Sequence, residues 1–122
     1  MRQQPIGANK PLEEVTVREA WKELHQQEQS EMSAAPMLLD VREVYEFVEG
    51  HAQGAINIPL SEFRERYQEA PRDREILCIC HMGSRSAQAG TFLLRQGWTH
   101  VKNVAGGTDE WEAAGLPMER GR

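Results

Sequence analysis

The stretch Glu75-Ile76-Leu77-Cys78-Ile79-Cys80 runs without a break into His81-Met82-Gly83-Ser84, and from Ser84 to about Gln96 the pattern becomes helical. The apolar run from Ile76 to Cys80 is too short for a helix and suits a strand covered on both faces, as in the middle of a parallel sheet. Gly83 gives the turn access to positive φ angles that side chains resist. Ala87, Phe92, Leu93 and Leu94 form the apolar stripe of the helix, and Gly97 stops it. A strand, a tight turn and a helix start therefore meet at one thiol, Cys80.

Upstream, Thr16-Val17-Arg18-Glu19 matches a capping box, and Val17, Ala20, Trp21 and Leu24 continue at helical spacing, which predicts a helix to about Gln29. A loop over 30–36 leads to a second buried strand, Met37 to Val41, and a short helix from Val44 to Val48 ended by Gly50. Ala55 to Ile58 reads as a strand stopped by Pro59, with Ser61 as the N-cap of a helix through Tyr67. Downstream, Val101 to Val104 is the last strand and Thr108 to Ala114 the last helix, closed by Gly115 and Pro117. Strands alternating with helices predict an α/β domain with a mostly parallel central sheet of about five strands and helices on both faces. The domain is expected over residues 12–118, with a poorly ordered lead-in at 1–11 and a tail at 119–122.

Composition narrows the function classes. With 122 residues there is room for one core and one domain. Fourteen basic against 19 acidic residues give a net charge of −5, a surface that repels a phosphate backbone, so nucleic acid is not an expected partner. No apolar run approaches the about 20 residues that cross a bilayer, and the first ten residues hold no signal-peptide core. A cytoplasmic monomer is expected. Cys78 and Cys80 stand too close for an unstrained disulfide and read as free thiols in a reducing compartment.

Cys80 lies where the sheet meets the following helix, the place at which open parallel sheets bind ligands. If residues 80–85 curl from strand to helix, their N–H groups converge on the Cys80 sulfur as an anion-binding nest, favouring the thiolate, which is the attacking form. Arg85 adds a permanent positive charge near the mouth, and Ser84 or Ser86 is placed to cap the helix or to bond to the loop. This reading requires amides that face the sulfur and a sulfur that is not sealed under side chains. Cys78 shares the side-chain parity of Cys80 and reads as core packing. A metal site is disfavoured because Cys-x-Cys-His lacks the paired spacings of structural zinc sites.

The segment Cys80-His81-Met82-Gly83-Ser84-Arg85-Ser86 resembles the C-x-x-G-x-R-S loop of the rhodanese superfamily. Further stretches resemble that family in the same order: Leu38 to Glu43, Tyr45-Glu46-Phe47, Gly50 to Leu60, Gly97-Trp98, and Val104-Ala105-Gly106-Gly107 with Trp111. The resemblance covers roughly residues 12–118. It implies a three-layer sulfurtransferase domain in which Cys80 takes sulfur from thiosulfate or a similar small anionic donor. The resulting persulfide, held by amides of residues 81–86, would pass its outer sulfur to cyanide or a thiol, including that of a thioredoxin-like or biosynthetic protein. No cofactor or metal is implied. Asp40, Arg42 and Glu46 match charged positions of the family, to be read either as bracing the active-site loop or as a structural ion-pair network. His51 and Trp111 read as structural, while Gly106-Gly107 either lets the chain pass close to the pocket or turns it into the last helix. The rival readings are a non-catalytic, partner-binding rhodanese-like domain and a phosphatase or arsenate reductase of the same fold. Phosphatase relatives have a loop one residue longer and a histidine before the cysteine, where this chain has Ile79.

Overall fold

The capping box opens the first helix as the sequence requires: in the computed structural model, which describes residues 11–26 and 34–122, Thr16 Oγ1 accepts from the Glu19 amide at 3.1 Å. The Thr16 amide in turn donates to Glu19 Oε1 at 2.8 Å. This helix, α1 (Val17–Leu24), ends before the expected Gln29, with His25 as its C-cap and its Nδ1 at 2.8 Å from the Trp21 carbonyl. Residues 27–29 lie outside the described residues, as does nearly all of the expected lead-in.

A short strand, β1 (Glu13–Val15), precedes α1 and was not legible beforehand. The remaining elements are β2 (Met37–Asp40), α2 (Val44–Glu49), β3 (His51–Ala52), β4 (Ile56–Asn57), α3 (Phe63–Arg66), β5 (Ile76–Ile79), α4 (Ser84–Arg95), β6 (Val101–Val104), α5 (Gly107–Ala113) and β7 (Met118–Glu119). The expected N-cap at Ser61 is not made. Ser61 lies in a 3-10 turn, Leu60–Glu62, that precedes α3, and its hydroxyl donates instead to Glu43 Oε1 at 2.7 Å.

Five strands form one sheet in the order β1-β6-β5-β2-β4, every neighbouring pair parallel. β2 and β5 are buried at every position, which accounts for their unbroken apolar sequences. Alternate residues feed two cores. Leu39, Ile76 and Cys78 pack with Phe63, Leu93, Leu94 and Trp98 on the α3/α4 face. Leu38, Leu77 and Ile79 pack with Val17, Ala20 and Trp111 on the α1/α5 face. On α4 the buried stripe is Ser86, Ala89, Gly90, Leu93 and Leu94, whereas the expected Ala87 and Phe92 are half-buried.

A second, antiparallel pair, β3 with β7, sets His51 opposite Glu119, so the expected domain edge at 118 falls inside β7. The last residues are also held, since the Gly121 amide donates to the Val48 carbonyl at 2.8 Å. Among the described residues no helix is long and apolar enough to cross a membrane.

Candidate active site

β5 stops at Ile79, and Cys80 is the first residue of the loop that joins it to α4. Gly83 caps α4 at φ 107°, a left-handed conformation that folds the loop back over its own start. The Gly83 amide then lies 3.1 Å from Cys80 Sγ, and the Ser86 hydroxyl donates to the same sulfur at 3.2 Å. Burial pushes the Cys80 thiol up. The Ser86 hydroxyl and the amides of Ser86, Gly83 and Met82 outweigh that effect and leave it below its ordinary value of 9.0. The amides expected over 81–86 are thus represented at the sulfur by Met82, Gly83 and Ser86. The expected access is not seen in this conformation: Cys80 is buried, only 1% exposed. Around it His81 and Ser84 are exposed, and Met82 stands at the surface with 67% of its area open.

Cys78 differs sharply although its side chain projects from the same face of β5. Complete burial, reinforced by the charge of Cys80, pushes its thiol up to about 12, which fits the core role expected of it.

The outer side of the loop is fastened by α5. The amides of Thr108 and Asp109 donate to the carbonyls of Cys80 and His81 at 2.7 and 3.0 Å. A Cβ on Gly107 would stand 2.4 Å from the His81 carbonyl oxygen and 2.5 Å from that of Cys80. Of the two roles open to Gly106-Gly107, Gly107 therefore serves close backbone approach to the loop, and it also begins α5.

Sequence reasoning missed Asn103. Its Nδ2 donates to the Gly83 carbonyl at 3.1 Å and to Glu14 Oε2 at 2.8 Å, tying the loop to β6 and β1. The available signal was a lone amide in the otherwise strand-like Val101 to Val104, since a buried polar side chain must find partners.

Arg85 does not stand free at the mouth. Its Nη1 and Nη2 bond to Glu46 Oε1 and Oε2 at 2.7 and 3.0 Å, a bidentate pair joining α4 to α2. Arg85 holds the Glu46 carboxyl down at about 2, against an opposing effect of burial and with help from the Glu43 amide. Asp40 and Arg42 form a second pair. Arg42 donates from its amide and Nε to Asp40 Oδ1 at 2.9 and 3.1 Å, and from Nη2 to Asp40 Oδ2 and the Gly50 carbonyl at 2.9 and 2.7 Å. Of the three charged residues, Glu46 touches the loop through Arg85, while Asp40 and Arg42 knit the end of β2 to the α2–β3 turn. His51 stacks on Phe47 and its Nδ1 lies 2.8 Å from the Phe47 carbonyl, a structural arrangement. Trp111 is fully buried with its Nε1 donating to the Pro117 carbonyl at 2.8 Å. Among the described residues no cluster of three or more His, Cys, Asp or Glu side chains could hold a metal ion.

Comparison with known proteins places this geometry among relatives. Residues 16–114 match the family model described as rhodanese-like domain. The chain is 30% identical over 109 residues to the thiosulfate sulfurtransferase GlpE of Haemophilus influenzae, covering 89% of this chain and 96% of that protein. It is 41% identical over 75 residues to the thiosulfate sulfurtransferase PspE of Escherichia coli, covering 60% and 72%. Among solved structures, a rhodanese-related protein from Thermoplasma volcanium superposes with a TM-score of 0.74 at 31% identity, covering 88% of this chain and 97% of that one.

Proposed function

Because the chain belongs to the rhodanese-like domain family, we propose that it is a sulfurtransferase that carries sulfur as a persulfide on Cys80, with thiosulfate or a similar small anion as donor. The observation that carries this reading is the convergence of the Ser86 hydroxyl and three main-chain amides on one sulfur. Such donors are aimed at negative charge before any substrate arrives, so they cost little reorganisation during the reaction.

In the first half-reaction the Cys80 thiolate attacks the outer sulfur of thiosulfate. The donor's S–S bond breaks, sulfite leaves with the electron pair, and Cys80 becomes a persulfide. In the second, cyanide or a thiolate attacks the outer sulfur, the new S–S bond breaks, and Cys80 returns to thiolate in its amide nest. Two exchanges at one sulfur thus need no cofactor. Thiosulfate as donor is supported by the names of the relatives from Haemophilus influenzae and Escherichia coli.

Arg85, paired on both nitrogens, acts as a positioning residue: with Glu46 it fixes the start of α4, and so the direction of the loop amides. Asn103 and the first amides of α5 hold the loop from its other side. The same pairing counts against phosphoryl transfer, which uses cationic groups aimed at the equatorial oxygens. Mass analysis after exposure to thiosulfate, on wild type and Cys80→Ser, tests the reading: the wild type should gain one sulfur and the variant none.

A further inference from the structure

Asn103 occupies a place in β6 where a strand interior calls for an apolar side chain. Val101, two residues earlier and on the same face, packs in the α3/α4 core, and Asn103 is itself only 2% exposed. Its neighbours in register are Cys78 of β5 and Glu14 of β1. Its Nδ2 donates to two acceptors, the Gly83 carbonyl at 3.1 Å and Glu14 Oε2 at 2.8 Å. A flipped amide would set its oxygen against the same two acceptors, so its surroundings dictate the orientation.

Neither acceptor requires this side chain for its own satisfaction. The Gly83 carbonyl already accepts from the Ala87 amide at 3.2 Å, and Glu14 is exposed to solvent. Asn103 itself is left short, because its Oδ1 is buried without a partner among the described residues. The only other such side-chain atom there is Thr108 Oγ1, on the residue whose amide holds the Cys80 carbonyl. A buried oxygen left unmatched lowers stability. Packing and hydrogen-bond satisfaction therefore do not account for an asparagine at this position. What remains is the group it grips.

That group belongs to the residue which presents its amide to the sulfur. Gly83 joins two peptide planes: one carries the N–H that lies 3.1 Å from Cys80 Sγ, the other the carbonyl held by Asn103. Without a Cβ, glycine turns about its own bonds more freely than any other residue, and Gly83 stands at φ 107°. Holding the carbonyl from β6 narrows the swing of the N–H.

We propose that Asn103 is a positioning residue for sulfur transfer: without touching the sulfur, it keeps the Gly83 amide aimed at the Cys80 thiolate. This deepens the sulfurtransferase reading and rests on it. Glu14 steadies Asn103 from β1, so the chain of contacts runs from the edge of the sheet to the reacting atom.

The test uses Asn103→Val, which suits a strand, and Asn103→Ala, which introduces no new bulk. Alkylation of Cys80 by iodoacetamide across pH, read by intact mass and peptide mapping, gives the midpoint of the thiol without any sulfur donor. Both variants should raise that midpoint by about 0.5–1 pH unit, roughly three- to tenfold less thiolate on the acidic side, because one of several donors to a charged sulfur is misaligned. Persulfide formation from thiosulfate should slow about two- to threefold, since a more basic thiolate recovers part of the loss. Urea midpoints should stay near wild type, the unmatched oxygen leaving together with the two bonds. A purely structural asparagine would instead lower the urea midpoint and leave the alkylation midpoint in place. An alkylation midpoint unmoved in a folded variant overturns the proposal, and so does failure of both variants to fold, which would make Asn103 a requirement of the fold. Wild type that gains no sulfur from thiosulfate overturns the persulfide reading instead, because the alkylation profile needs no donor.

Discussion

Replacing Ser86 by alanine isolates one of the contacts that hold the Cys80 thiolate. Ser86 is fully buried, and its hydroxyl donates to the sulfur at 3.2 Å. The substitution removes a single oxygen and preserves the helix, alanine being the best helix former. A hydrogen bond to a charged group contributes about 1.5–3 kcal/mol, which corresponds to roughly ten- to hundredfold less thiolate at pH values below the thiol's inflection. A more basic thiolate is also a better nucleophile, with a Brønsted coefficient of about 0.4–0.5, so about half of that loss on a logarithmic scale returns. The net expectation is a rate of exchange with a small neutral disulfide about three- to tenfold lower than wild type on the acidic side. On the alkaline side, where both proteins are fully thiolate, the variant should be the faster one. The assay is a pH series of mixed-disulfide formation with hydroxyethyl disulfide, read by intact mass. Two pH profiles that cross are the signature of lost thiolate stabilisation. A loss of the same size at every pH would mean that the variant merely damages access, and would refute the reasoning.

Other perturbations have equally definite outcomes. Glu46→Gln breaks the bidentate pair with Arg85 and should cost about 1–2 kcal/mol at neutral pH, below the roughly 3 kcal/mol that the lowered carboxyl alone implies, because solvent screens the pair. Since the folded carboxyl is held down at about 2, that contribution is present above the ordinary value of 4.5 and is lost as pH falls toward 2; urea midpoints of wild type and variant should converge in acid. Gly107→Ala places a Cβ against the Cys80 and His81 carbonyls at φ 59° and should slow persulfide formation about tenfold or more, while an unaltered rate would show that the α5 clasp does not position the loop. Glu75 is pushed up to about 7 by burial and by Glu23, with Lys102 opposing. Wild-type stability should therefore fall as pH rises from about 4.5 through about 7, and Glu75→Gln should flatten that slope in urea titrations.

The centre of the sheet was legible because its signals are local. β2 and β5 are short unbroken apolar runs, and Gly83 marks a turn between strand and helix that needs a left-handed residue. The Cys80 loop was legible for the same reason: nucleophile, amides and Ser86 all lie within seven consecutive residues, 80–86. β1 was not, because Glu13-Glu14-Val15 offers one buried side chain and exists through its pairing with β6, where Glu13, Glu14 and Val15 face Lys102, Asn103 and Val104. β3 and β7 are two residues each, and neither forms without the other. The partners of Arg85 and Gly83 were hidden by distance along the chain: Glu46 lies 39 residues before Arg85, and Asn103 lies 20 after Gly83. Arg85 illustrates the consequence. Its charge was readable, but only the fold could show that the charge is already matched.

The central claim concerns one atom, the sulfur of Cys80, and intact-mass measurement of the native protein after thiosulfate treatment addresses it directly. The wild type should gain the mass of a single sulfur, located by peptide mapping on Cys80, and release it on addition of cyanide or a thiol. No gain in mass, or a gain of the same size in Cys80→Ser, would contradict the account.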